Sequence, residues 1–231
     1  MAEAGFWAFI AASSLILGAL IAMSGRLSTA ALALLIGFGS GALISAVAYD
    51  LIEEAVAVSA TGLSVGFGFV AGALVYFGGA QLIKRMPGSG GGEILLGAVL
   101  DGIPESLVLG LSLVGGGGPS VAVLVAVFIS NVPEAVASST KMLADDREPA
   151  WVVGVWTLVA IASAAAAALG YAAFADASGD VIAFIDAFAA GAILTLLASE
   201  LLPSAHAERN RFVGLATAAG FGVAAMLTLN S

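Results

Sequence analysis

Apolar runs long enough to cross a lipid bilayer recur from one end of this 231-residue chain to the other. No other feature limits its fold so strongly. A helix rises about 1.5 Å per residue, so roughly 20 apolar residues cross a hydrocarbon core about 30 Å thick. Eight spans are expected, at about 5–23, 30–52, 63–83, 93–114, 120–140, 151–173, 180–202 and 211–229. Barrel strands would be shorter and would alternate apolar with polar residues. Hydrophobic residues make up 61% of the chain and charged residues only 10%, which leaves no stretch for a soluble domain. Residues 1–231 are therefore expected to form a single transmembrane domain, an all-α polytopic membrane protein. The first apolar run has no basic residue before it and is expected to stay as a helix rather than leave as a signal peptide. The expected location is a bacterial or archaeal cytoplasmic membrane.

The basic residues orient the spans. Arg26 lies between the first and second spans, Lys84 and Arg85 between the third and fourth. Lys141 and Arg147 lie between the fifth and sixth, Arg209 and Arg211 between the seventh and eighth. All seven fall in alternate connections, and the other set has none. The positive-inside rule then puts those four loops in the cytoplasm and both termini outside. Cysteine is absent, which removes disulfides, thiolate metal sites and cysteine nucleophiles. A formal charge of −9 speaks against nucleic acid as a partner. The lipid bilayer itself is the first partner the composition implies.

Two phrases interrupt the apolar pattern, DGIPESLVLG at 101–110 and SNVPEAVASS at 130–139. Asp101 and Glu105 are four residues apart and share a helix face. Ser130, Asn131 and Glu134 share a face by the same reasoning. Counting rise per residue sets Asp101 and Glu105 at ~12 and ~18 Å from one end of their span. Ser130 and Glu134 come at ~15 and ~21 Å from the opposite end of the next. All four thus fall near the midplane. A carboxylate there is costly unless it is protonated, hydrated or neutralised by a cation. Pro104 and Pro133 are expected to break the helices and free the carbonyls of Leu100 and Ile129, which would add hard oxygen ligands. Paired broken helices are a recurring plan for transporter ion sites. The set Asp101, Glu105, Ser130, Asn131 and Glu134 is thus a candidate site for a divalent cation. Its oxygens suit manganese, magnesium or calcium better than the imidazole and thiolate donors that favour zinc.

On these phrases the chain resembles the Zrt/Irt-like (ZIP) metal transporters, whose fourth helix carries His-Asn-x-Pro-Glu-Gly and whose fifth carries a related phrase. YDLIEEA at 49–55 is similar to the family's acidic end of helix 2, and AFAAGAILTLLASELLPSAH at 187–206 to its helix 7. The resemblance implies eight helices in a 3+2+3 arrangement, a metal site between helices 4 and 5, and an outer scaffold that often dimerises. It implies a divalent metal of the zinc, manganese or iron class as transported substrate, with no prosthetic group. Both family histidines are replaced: Asp101 stands for one and Ser130 for the other. A member that binds or senses metal without moving it is the alternative.

Other acids are placed as accessories. Asp50, Glu54 and Asp186 are plausible entry ligands, and Glu200 and His206 lie where a leaving ion would exit. Asp176 and Asp180 belong to the face without basic residues. Trp7, Trp151 and Trp156 read as interfacial or lipid-facing aromatics. Gly37/Gly41, Gly68/Gly72 and SAAAAALG at 163–170 read as close-packing surfaces. An intramembrane aspartyl hydrolase built on Asp50 and Asp101 is a remote alternative. The flanking residues LGAVLD and LLPSA do not match what such a site needs, so the chain is not expected to be an enzyme.

Overall fold

The structure is a computed structural model describing residues 1–85, 102, 105, 106, 109, 110, 120–174, 176–207 and 210–229. The described residues form helices and turns, with no strand among them. A lipid-embedded backbone must satisfy its own hydrogen bonds, and helices do so within each segment.

Seven long helices are described: α1 (Ala2–Ser24), α2 (Thr29–Val58), α3 (Leu63–Lys84), α4 (Val121–Ala144), α5 (Pro149–Phe174), α6 (Gly179–Ala207) and α7 (Val213–Thr228). The first six are long and apolar enough to cross a membrane; α7 is apolar but shorter. Gly102, Glu105, Ser106, Leu109 and Gly110 are also helical. The rest of the expected 93–114 span lies outside the described residues. α2 and α6 run furthest past their expected ends, to Val58 and Ala207. The apolar run of α2 ends where Glu53 and Glu54 follow Asp50, but the backbone ladder does not.

The helices pack in two groups. One holds α2, α3, α6 and α7, with α7 on α2 and α3 on α6. The other holds α1, α4 and α5, with α1 against both partners. Gly102 and Gly110 join this second group through Ser163 and Ala167 of α5. Its own core gathers Ala12, Leu15, Met142, Val152 and Trp156. Helix α4 also packs on α2 and so forms the boundary between the groups.

Glycines set the closest approaches, as expected for association without a hydrophobic driving force. Side chains added at Gly37 and Gly41 would meet Val213 and Thr217 of α7. Side chains at Gly68 and Gly72 would run into the carbonyls of Phe184 and Phe188 in α6. The packing surfaces expected from those spacings are therefore present.

An inverted repeat underlies the first group. GALISAVAYDLIEEA (41–55) aligns residue for residue with GAILTLLASELLPSA (191–205). Each copy turns from α-helix into π-helix at the same place, Ala46–Ile52 in α2 and Leu197–Leu201 in α6. The partners match too: Phe38 of α2 packs on Gly220 of α7, and Phe188 of α6 on Gly72 of α3. The start of α2 lies against the end of α6, and the end of α2 against the start of α6, so the copies run antiparallel. Inverted repeats of this kind are common in secondary transporters.

Contacts between helix ends define the two ends of the bundle. At one, Asn210 of the α6–α7 connection reaches the Ala30 carbonyl and Lys84 reaches Glu200. At the other, Asp180 Oδ1 accepts hydrogen bonds from Ser59 Oγ, Ala60 N and Ser64 Oγ, at 3.3, 3.1 and 3.2 Å. Asp180 thus fastens the α2–α3 turn rather than waiting free in solvent.

Candidate cation site

Glu105, Asn131 and Glu134 line one cavity of about 20 Å3. Ala8, Ala11, Ala12 and Leu15 of α1 form one wall, and Leu109 and Val127 close part of another. Glu105 is 6% exposed and Asn131 5%; Glu134 is half-buried. A cavity needs only about 10–15 Å3 to hold one water, so this one admits a water or a bare cation but no organic substrate.

Helix α4 presents Asn131 and Glu134 together because three residues make nearly one turn. Their direction is fixed from both sides. Gly18 of α1 packs on the Val132 carbonyl and Ala135, and Gly39 of α2 packs on Ser130. This places the Asn131–Glu134 face towards α1 and the segment carrying Glu105.

Ser130 takes a different position from the one its spacing suggests. It is buried, its Oγ donates to the Val127 carbonyl at 3.0 Å, and its α-carbon faces Gly39. It does not line the cavity. Pro133 likewise departs from expectation, because α4 runs as continuous helix through it from Val121 to Ala144. Proline removes one ladder bond, and the packed neighbours of α1 and α2 hold the remaining turns in register. Among the described residues the irregular backbone lies in the π-helical turns of α2 and α6. Asp101 and Pro104 lie outside the described residues.

Two cavity residues escaped the sequence reading, Ser106 and Ser163. Ser106 follows Glu105 directly and is 3% exposed. Ser163 comes from α5, within the stretch read only as a packing surface, and its Oγ lies 3.5 Å from where a Gly102 side chain would begin. A hydroxyl inside an alanine-rich run was the available signal. The donor set is therefore two carboxylates, an amide and hydroxyls. Among the described residues no three of His, Asp and Glu converge closely enough to hold a metal by themselves.

The accessory acids separate. Asp50 sits in the π-turn of α2, accepting from Ser120 Oγ at 2.7 Å and Thr228 Oγ1 at 3.1 Å. Asp186 is buried in α6, 3% exposed. Glu200, the repeat counterpart of Asp50, pairs with Lys84 at 3.5 Å. His206 is exposed, with Nδ1 2.9 Å from the Leu202 carbonyl. Trp156 corrects the reading of the tryptophans. It is fully buried against α4, and its Nε1 donates to Ser139 Oγ at 2.8 Å. Trp151 stays exposed, with the Arg147 guanidinium 5.0 Å from its ring centre.

These features define a polytopic helical membrane protein with a small polar cavity in its apolar bundle. No family model matches the chain, and no curated protein matches it in sequence.

Proposed function

We propose that the chain is a divalent-cation transporter of ZIP-like architecture, with eight spans in a 3+2+3 arrangement and both termini outside. The ion is its substrate, moved towards the cytoplasm. Glu105, Asn131 and Glu134 hold it midway, with Asp101 and the neighbouring hydroxyls completing the oxygen shell. Manganese and iron stand level with zinc as cargo, because the described cavity offers oxygen donors and no imidazole. No prosthetic group and no catalysis are invoked, and the assembly proposed is a homodimer.

One observation carries this reading. Two carboxylates and an amide, from two separate segments of an apolar bundle, line a single ion-sized cavity. Setting two carboxylates on the lining of one cavity within an apolar bundle is costly, and a divalent cation offsets that cost. The inverted repeat adds support, because it sets Asp50 and Glu200 at equivalent positions towards opposite ends. That is the placement expected of an entry and an exit.

The test is uptake into proteoliposomes of zinc, manganese, iron, cadmium, magnesium and calcium, with Glu105→Gln alongside. Uptake of one or more divalent ions that disappears in the variant is the expected result. Uptake equal to that of protein-free vesicles for every ion, by folded protein, overturns the proposal. Binding without uptake would favour a sensor.

A further inference from the structure

We propose that Asp50 is a latch holding the cavity shut towards the end of the bundle that lacks basic residues. Its purpose rests on the transporter reading; its geometry does not. The Asp50 carboxylate engages two other helices at once. Ser120, the N-cap of α4, donates to Oδ1 at 2.7 Å, while its Oγ accepts from Val123 N at 3.2 Å. Thr228, at the end of α7, shares its hydroxyl proton between Oδ2 at 3.1 Å and the Ala224 carbonyl of its own helix at 3.2 Å. The Ser120 bond crosses between the two helix groups, from α4 to α2. The Thr228 bond stays within the α2–α7 pair and holds the carboxylate in place to receive Ser120.

The latch stands at the head of the buried run of α4 that leads down to the cavity. Ala122, Val123, Ala126 and Val127 follow Ser120 and are all buried, and Val127 lines the cavity itself. Deeper along the same boundary, α2 and α4 meet closely at Gly39 and Ser130, and Val123 and Val127 of α4 share an apolar core with Ala42, Leu43 and Val47 of α2. The Ser120–Asp50 bond is the polar tie at the rim of that apolar boundary, and its release is where the gate would part. The repeat reinforces the contrast. Glu200, the counterpart of Asp50, is tied to Lys84 of α3 inside its own group, so that tie does not resist separation of the groups.

The chain has no cysteine, so one reporter can be introduced cleanly. Val127→Cys is labelled with a charged, water-soluble maleimide in three backgrounds: parent, Ser120→Ala with Thr228→Val, and Ser120→Asp. The last keeps an N-cap but sets a like charge against Asp50. Loss of two hydrogen bonds from the closed form should speed labelling roughly tenfold, and Ser120→Asp should speed it in the same direction. Ala160→Cys, fully buried in the α5 core, serves as the folding control and should stay unlabelled. Equal labelling of Val127→Cys in all three backgrounds, with Ala160→Cys protected, overturns the latch. Labelling requires neither metal nor transport, so its failure is distinct from failure of uptake.

Discussion

Gly18→Ala probes whether the cavity depends on the fit of α1 against α4. A β-carbon at Gly18 would stand 2.5 Å from the Val132 carbonyl oxygen, 2.7 Å from Ala135 Cβ and 3.2 Å from Val136 N. Ordinary contact begins near 3.4 Å, so the helices must part by roughly 0.7–0.9 Å at this point. The opposing atoms are mostly backbone and cannot turn aside as a long side chain would. Overpacking of this kind costs about 1–3 kcal/mol. The displaced residues flank Pro133 and Glu134, so the same shift moves a cavity carboxylate relative to Glu105. Misplacement on the order of 1 Å can reduce a tuned site's performance ~100-fold. Thermal unfolding of purified protein in detergent, followed with and without manganese, reads both effects. A lower midpoint and a much smaller manganese-induced rise are expected. A variant with the parent's midpoint and the parent's response would refute the reasoning that α1 and α4 are fitted tightly enough to set the site.

Trp156→Phe should lower stability by about 1–3 kcal/mol, because it strands the buried Ser139 hydroxyl. Adding Ser139→Ala should recover part of that loss in the same unfolding assay. Gly191→Leu, aimed at the Phe69 carbonyl of α3, should cost about 1–3 kcal/mol or prevent folding. Size-exclusion profiles would show this as aggregated protein, and a normal profile would count against the repeat packing. Lys84→Ala should change stability by less than about 1 kcal/mol, since its pair with Glu200 is exposed.

Much of the fold was legible in the sequence because apolar length alone decides where a helix can cross lipid. The ends of α2 and α6 were less legible, since a helix continues past its last apolar residue while a hydropathy pattern does not. Trp156 was misplaced for a related reason. Tryptophan suits an interface when its N–H needs water, and here Ser139 takes that part inside the bundle. The cavity was partly legible. Spacing put Asn131 and Glu134 on one face, but spacing cannot say which neighbour that face meets, and Ser130 turned to α2 instead. Ser106 and Ser163 were hidden because a hydroxyl in an apolar helix usually bonds its own backbone. The inverted repeat left a faint trace: Gly-Ala, then aliphatic residues, a hydroxyl and an acid followed by Leu at matched spacing. Only five of its fifteen aligned residues are identical, and the parallel partners and paired π-turns made it evident.

The central claim is that a divalent cation occupies the cavity between Glu105, Asn131 and Glu134. Equilibrium binding of manganese to purified protein tests it most directly, with free ion read from its aqueous paramagnetic resonance signal. Folded parent protein should bind manganese at this site, and both Glu105→Gln and Glu134→Gln should abolish that binding while keeping the parent's size-exclusion profile. Manganese bound equally by parent and both variants would place the ion elsewhere, and folded parent protein that binds none would contradict the claim for this ion.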